Sequence, residues 1–378
     1  MCMNINPFVT SGYISKKYFC DRKKELASLL SYLKNGVNTT LVSPRRMGKT
    51  GLIHRAFEDC KDFGCVYVDI MPTRSIADFN RLLSEAIFHK FPEKTSIGKK
   101  FFTFLRGFRP LVSYDSITGQ PQIEISYQME SQKPQTLKAI LQFLNSQDKK
   151  IIVAIDEFQQ ITSYPEKNME AILRSEIQFL NNVNFIFCGS KRSVMYDMFS
   201  NAQRPFYQST SFLTLEKINR KEYAKFIVKH FNKSNIEIEN NCVDFILDWT
   251  KTYTFYTQYI CNKLFAYSED EISMETVKRA LCETLAEQAT SFNQLRQLLT
   301  TVQWNYLIAI AKEGKIEQPT AQNFLMKYRI GTPSNSKRLL KTLCEKDLIL
   351  EQISLERTTY EIYDVFLYHW LLDNYDVI

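Results

Sequence analysis

One stretch limits the fold more than any other: Ser43-Pro44-Arg45-Arg46-Met47-Gly48-Lys49-Thr50, between the β-branched run Thr39–Val42 and an amphipathic segment with helical period from Gly48 to Phe57. A strand that ends, turns through a short basic loop and opens a helix gathers backbone N–H groups at one spot. The aligned peptide dipoles of the helix favour an anion there. The spacing fits GxxxxGK[ST] at every fixed position but the first, where Ser43 stands for glycine. Gly48 lets the backbone approach a phosphate, Lys49 reaches the β- and γ-oxygens as a point charge, and the Thr50 hydroxyl ligates Mg²⁺. Pro44, Arg45, Arg46, Met47 and Gly51 complete the expected nucleotide-binding set. The plain alternative is a basic loop that happens to contain Gly-Lys-Thr; the strand before it and the helix after it argue against that.

Such a loop needs a buried parallel sheet beneath it, and the pattern from Asn38 to Ser190 supplies one. Short apolar runs at Cys65–Ile70, Ile151–Ile155 and Asn184–Cys188 alternate with helix-period stretches at Ile76–Phe88, Thr136–Leu144 and Met169–Leu180. Continuous apolar strands separated by helices predict an α/β fold, a parallel sheet with helices on both faces. The rhythm breaks over residues 92–134. There a basic aromatic piece, Lys99-Lys100-Phe101-Phe102, leads to the alternation Ile123, Ile125, Tyr127, Met129, which predicts an insertion carrying a short strand or hairpin.

The run from Ile151 to Ile155 ends in Asp156-Glu157, and its strand is expected beside the loop strand. Asp156 then holds Mg²⁺ through water and Glu157 faces the attacking water. Alone, the pair reads more readily as a helix cap and a first-turn acid; beside Lys49 and Thr50 it does not. Ser190, at the tip of the strand Asn184–Cys188, can touch the γ-phosphate or cap the next helix. The catalytic set is therefore Glu157, Lys49 and Ser190, and the metal set Thr50 and Asp156.

After Phe212–Leu215 the strands stop. Residues 219–293 fit three or four helices with apolar faces such as Tyr223/Phe226/Ile227 and Val243/Ile246/Trp249. From Val302 three helical segments (Val302–Ala311, Thr320–Lys327, Pro333–Lys346) precede two alternating strands, Leu348–Ile353 and Thr359–Tyr363, the order of a winged helix-turn-helix. The expected division is a core over 1–216, a helical lid over 217–297 and a winged helix over 298–378.

The longest clean apolar run, Ile151–Ile155, is far short of the roughly 18 residues of a membrane span. With no leader-like start over Met1–Lys17 either, a cytoplasmic protein with no membrane partner is expected. Nine cysteines, an odd number with no CxxC, disfavour a disulfide framework or zinc site. Forty-eight Lys+Arg against 41 Asp+Glu leave a net charge of +7, which permits a polyanionic partner without demanding one.

Four separated segments resemble one family, the archaeal-type ATPases of the STAND branch of AAA-related P-loop NTPases. Tyr18-Phe19-Cys20-Asp21-Arg22-Lys23-Lys24-Glu25-Leu26 is similar to the family's N-terminal Phe-x-x-Arg-x-x-Glu-Leu box, which puts Arg22 by the adenine. Ser43–Thr50 resembles the family's Pro-Arg-Arg-x-Gly-Lys-Thr loop and Ile155-Asp156-Glu157-Phe158-Gln159 its Asp-Glu-Phe-Gln box. Lys315–Leu371, with Tyr363-Asp364-Val365-Phe366 and Trp370-Leu371, resembles its C-terminal winged helix. The resemblance implies an ATPase core, a lid and a winged helix acting as one switch. Two departures stand out. The family's Pro-Leu-Tyr-Gly-Arg appears here as Pro205-Phe206-Tyr207-Gln208, without its arginine, for which Arg204 or Arg192 are the available stand-ins. Its Gly-x-Pro appears as Thr252-Tyr253-Thr254. Lid coupling is then expected to differ, and hydrolysis to be slow.

The leading expectation is an ATPase switch that binds ATP and Mg²⁺ between core and lid, exchanges ATP for ADP, and acts through a protein partner or self-association. The alternative is a DNA-binding protein whose occupancy the nucleotide modulates. It rests on Lys337, Arg338, Lys341 and Lys346 with Arg357, against the nearby acids Glu345, Asp347, Glu351 and Glu356, and that mixed charge does not favour it. An inactive scaffold is disfavoured by Lys49, Thr50, Asp156 and Glu157.

Overall fold

The computed structural model describes residues 5–108, 110–115, 121–267, 270–353 and 357–375; Cys2 and Glu356 lie outside them. The chain parts into two compact units, residues 11–219 and residues up to Thr10 together with 220–378.

The first unit runs α1 (Lys23–Lys34), β1 (Thr39–Val42), α2 (Lys49–Asp59), β2 (Gly64–Asp69), α3 (Ile76–Lys90), α4 (Ser96–Arg106), β3 (Pro110–Tyr114), β4 (Pro121–Ile125), α5 (Gln132–Asn145), β5 (Ile151–Asp156), α6 (Met169–Ile177), β6 (Val183–Gly189), α7 (Arg192–Ser200) and β7 (Ser211–Thr214). Five strands form one sheet in the order β2-β5-β6-β1-β7, every neighbouring pair parallel. The central strands β1, β5 and β6 are buried at every residue, whereas β7, at an edge, is only half-buried.

Alternate residues of each strand point to opposite faces. On one face Leu41, Ile152, Ala154, Ile186 and Cys188 meet Leu29 and Leu33 of α1 and Leu52, Ile53 and Ala56 of α2. On the other, Val66, Val68, Val153, Ile155, Phe185 and Phe187 meet Leu83 of α3, Ile140 of α5, Leu173 of α6 and Met195 of α7. Both faces are thus covered, as the continuous apolar runs demand.

One expectation about the sheet is corrected. The strand bearing Asp156 does not lie beside the loop strand, because β6 sits between them and pairs with both, Thr39 level with Ile186 and Ile151 with Val183. Which of two fully buried strands takes the inner place is a matter of long-range packing. The insertion does carry a hairpin, the antiparallel pair β3–β4 with Val112 opposite Ile123, preceded by α4. Phe101, Leu105, Ile123 and Ile125 are buried in the same cluster as α3 and the sheet, so the insertion extends the existing core.

The second unit runs α8 (Arg220–Asn232), β8 (Glu237–Ile238), α9 (Asn240–Trp249), α10 (Thr254–Ala266), β9 (Glu271–Ile272), α11 (Met274–Gln297), α12 (Thr301–Glu313), β10 (Lys315–Ile316), α13 (Gln322–Tyr328), α14 (Pro333–Glu345), β11 (Ile349–Ile353), β12 (Thr358–Ile362) and α15 (Val365–Asn374). The last part is a winged helix in which α14 follows α12 and α13 and the hairpin β11–β12 forms the wing, with β10 as a third antiparallel strand. Phe8 packs against Phe226, Phe231 and Phe265, and Asn6 and Asn262 each donate a side-chain amide to the other's strand of chain, at Asn262 O (2.9 Å) and Phe8 O (2.7 Å).

The turn between α9 and α10 is anchored on the winged helix. Lys251 and Thr252 both have left-handed backbone (φ 50 and 58), a costly conformation for a β-branched residue. Glu361 of β12, buried, accepts from Lys251 Nζ (3.2 Å), Tyr253 OH (3.2 Å) and Gln352 Nε2 (2.8 Å). Trp249 stacks on His369 with ring centroids 4.0 Å apart, and His369 Nε2 lies 2.8 Å from Trp249 O.

The described cysteines are all free thiols, and among the described residues no group of His, Cys, Asp and Glu is arranged to hold a metal by itself. No helix of the described residues is long and apolar enough to cross a membrane.

Candidate nucleotide site

In an open parallel sheet, ligands sit beyond the carboxyl ends of the strands. Here the ends of β1, β5 and β6 carry the loop, Asp156-Glu157 and Ser190 respectively. The loop leaves β1 at Ser43, which is buried and donates its hydroxyl to Pro44 O (3.0 Å). Ser43 lacks the left-handed backbone that would demand glycine, so a side chain is accommodated at the motif's first position. Gly48, by contrast, has φ 89 and caps α2, so glycine is required there, and Arg46 also turns left-handed at φ 66. A Cβ at Gly51 would meet only the Phe19 ring at 3.6 Å or beyond, so that position carries no steric demand.

Lys49 is buried, with Nζ donating to the carbonyls of Ser43 (3.0 Å) and Pro44 (3.1 Å). The loop therefore closes around its own ammonium group. Thr50 Oγ1 donates to Asp156 Oδ2 (3.0 Å), and Asp156 Oδ1 accepts from Glu157 N (2.9 Å). A threonine hydroxyl touching a carboxylate, both hard oxygen donors, is a set that suits Mg²⁺. Glu157 sits in left-handed backbone (φ 55) just after β5, and its Oε2 accepts from Ser190 Oγ (2.7 Å) and from Gln159 Nε2. Ser190 Oγ in turn accepts from Arg45 Nε (3.4 Å). A continuous set of contacts thus joins the loop, the acidic pair and the tip of β6.

Arg22 is buried and donates to Met47 O (3.1 Å) and Glu216 O while pairing with Glu25, so its guanidinium braces the loop's backbone. Gln208, at the glycine position of the resembling family's Pro-Leu-Tyr-Gly-Arg, takes left-handed backbone (φ 50) and donates its N–H to Phe199 O, and Ser209 stands where that motif has arginine. Arg204 is engaged by Glu170 and Asp197, and Arg192 opens α7.

Two contributors had no signal in the sequence. Tyr67 of β2 donates its hydroxyl to Asp156 Oδ2 (2.6 Å), and burial first, then the Asp156 charge, pushes the phenol up from its usual range. Cys188 of β6 is fully buried, and burial with the same carboxylate pushes its thiol up, so it stays protonated beside Asp156. Both occupy ordinary alternating strand positions, where an aromatic or a cysteine reads as core.

A buried parallel sheet with a glycine-lysine-threonine loop on a helix N-terminus, facing a carboxylate pair, defines a P-loop nucleotide-binding fold. A family described as an ATPase domain predominantly from Archaea matches residues 19–253, more than half of the chain, and a probable winged helix domain matches residues 290–373. The chain belongs to this archaeal-type ATPase family, and is accordingly an ATP-binding ATP hydrolase. Among solved structures it is similar to the Walker-type ATPase PABY2304 of Pyrococcus abyssi, at 17% identity over 97% of this chain and 99% of that one, with a TM-score of 0.68. It is also similar to the Aeropyrum pernix ORC2 protein in ADPNP-ADP complexes (15% identity, 98% and 97% covered, TM-score 0.61). A third likeness is to the Aeropyrum pernix ORC1 protein in complex with DNA (12%, 94% and 93%, TM-score 0.50). At such identities these likenesses speak to fold. No curated protein matches the chain.

Proposed function

We propose that the protein is a Mg²⁺-dependent ATPase that works as a nucleotide-driven conformational switch, with the helices after Asn219 and the winged helix as its moving part. The observation that carries this reading is Ser190, which contacts Arg45 of the loop and Glu157 of the acidic pair at once. A γ-phosphate drawing the Ser190 hydroxyl toward itself changes both contacts, and its loss restores them. Lys49 exchanges the Ser43 and Pro44 carbonyls for phosphate oxygens. Thr50 and Asp156 would hold Mg²⁺, whose chemistry is to neutralise charge on the phosphates. Glu157 orients water and accepts its proton, while Arg22 supports the loop through the Met47 carbonyl. With serine at 209 and Arg204 already paired with Glu170 and Asp197, no arginine from this stretch stabilises the transition state, and turnover is slow.

Lys49→Ala should lower ATP affinity tenfold or more, at least about 1.4 kcal/mol, in calorimetry. Glu157→Gln should lower turnover sharply while ATP still binds. The switch itself is read from distances between labels at Lys61 and Lys341 in ADP and in an unhydrolysed ATP analogue. Identical distributions with binding confirmed would leave an ATPase without a switch.

A second reading, DNA binding modulated by ATP, is favoured by the outer face of α14. There Ser334, Asn335, Lys337, Arg338 and Lys341 are all exposed, while Ser336, Leu340 and Leu343 face the core. One structural neighbour is described in complex with DNA. Duplex binding should fall steeply with salt and vanish when Lys337, Arg338 and Lys341 are reversed to Glu. No binding by the parent in low salt removes this reading.

A further inference from the structure

Two residues beyond Glu157, in the 3-10 turn Phe158–Ser163, the chain places an amide where its surroundings favour a hydrocarbon. Gln159 is only 5% exposed. Its neighbour Phe158 packs among Phe187, Phe199 and Phe206. The amide's Nε2 donates to Glu157 Oε2, but its Oε1 is buried with no hydrogen-bond partner among the described residues. A buried amide met at one end only costs desolvation that a leucine or methionine of similar size would not.

The end of β6 is shaped around this amide. A Cβ on Gly189 would lie 2.5 Å from Gln159 Oε1 and 2.5 Å from Met195 Sδ, so the bare glycine admits the amide. Gly189 has no left-handed backbone to explain it. Glu157 itself stands in strained left-handed backbone, a cost that persists only where the surroundings impose it. An unmet carbonyl and a glycine that leaves room for it thus belong to one amide, whose other end meets the carboxylate of a strained residue.

We propose that Gln159 is the positioning residue of Glu157. Together with Ser190 it pins Oε2, so the carboxylate keeps a single orientation. Ser190 is the variable donor, free to turn toward a phosphate, and Gln159 is the constant one that holds Glu157 when Ser190 leaves. The division explains why two donors share one oxygen: one reports on the nucleotide and the other preserves the geometry of the base. This inference rests on the reading of Glu157 as the base.

The test compares the full-length parent with Gln159→Leu, Glu157→Gln and the double variant, in single-turnover ATP hydrolysis beside calorimetric ATP binding and melting temperature. Gln159→Met is a second variant should leucine fail to fold. Gln159→Leu should lose at least tenfold in kcat, with KM and ATP affinity within twofold of the parent. In the Glu157→Gln background the same substitution should cost nothing further, because its effect passes through the carboxylate. Parent-like turnover by Gln159→Leu, or losses that simply add in the double variant, would overturn the assignment. Parent-like turnover by Glu157→Gln would instead overturn the base reading on which it rests.

Discussion

Lowering the pH from 7.5 to 5 should weaken the unit of residues 220–378, and His369 is the reason. Its ring lies flat on Trp249 at 4.0 Å. Burial brings its pKa from 6.5 down to about 4, nearby Lys251 acts in the same direction, and the bond to Trp249 O opposes them. The unfolded chain therefore binds a proton where the folded one does not. This contribution is complete above about pH 6.5 and is lost as pH falls toward about 4. A shift of roughly 2.5 units corresponds at most to about 3.4 kcal/mol, of which about 2 kcal/mol is gone at pH 5, an upper figure for a half-buried ring. All three tryptophans, Trp249, Trp304 and Trp370, lie in this unit. Urea unfolding followed by tryptophan fluorescence at both pH values therefore reads it selectively. His369→Phe keeps a flat ring against Trp249 but takes no proton, so it should lose about 2 kcal/mol less than the parent between the two pH values. Equal pH dependence in both proteins would refute the assignment.

Tyr67→Phe removes a charge-assisted hydrogen bond to Asp156 and should cost about 1.5–3 kcal/mol, read as a lower midpoint in far-UV circular dichroism; an unmoved midpoint would mean the bond is idle. Gly189→Ala drives a methyl group into Gln159 and Met195, with an expected overpacking cost of about 1–3 kcal/mol and a fall in ATP turnover, and parent-like behaviour in both would show that the clearance is not needed. Glu361→Ala strips Lys251, Tyr253 and Gln352 of their shared acceptor and should cost about 3–5 kcal/mol in tryptophan-monitored melts. A loss under 1 kcal/mol there would mean water replaces the carboxylate.

Four helices of the sheet unit, α2, α3, α5 and α6, were legible because each is amphipathic, and the buried strands because each is a run of apolar and β-branched residues, whereas α1, α4 and α7 emerge only in the folded chain. Strand order was not, since Ile151–Ile155 and Asn184–Cys188 are equally apolar and only packing decides which lies beside Thr39–Val42. The two-residue strands at Glu237, Glu271 and Lys315 are too short to show a period. Phe8 sits close in sequence to the sheet unit, yet packs on Phe226 and Phe231, a choice made by distant partners. At the site, the Gly-Lys-Thr loop and the Asp-Glu pair stand out because each has a fixed spacing or a strand to mark it. Tyr67 touches Asp156 through a single hydrogen bond and nothing local distinguishes it from a core residue, whereas Gln159 closes the Asp-Glu-Phe-Gln box but only the folded chain shows its bond to Glu157.

The buried carboxylate of Glu361 has a mechanical consequence. It clasps the α9–α10 turn to β12 while Trp249 lies flat on His369, so the turn is tied both to the wing hairpin and to α15. A displacement of the left-handed pair Lys251-Thr252 must therefore either pull β12 with it or break the contacts of a buried carboxylate. The relation also runs backward: whatever biases the position of β12 biases that turn by the same free energy.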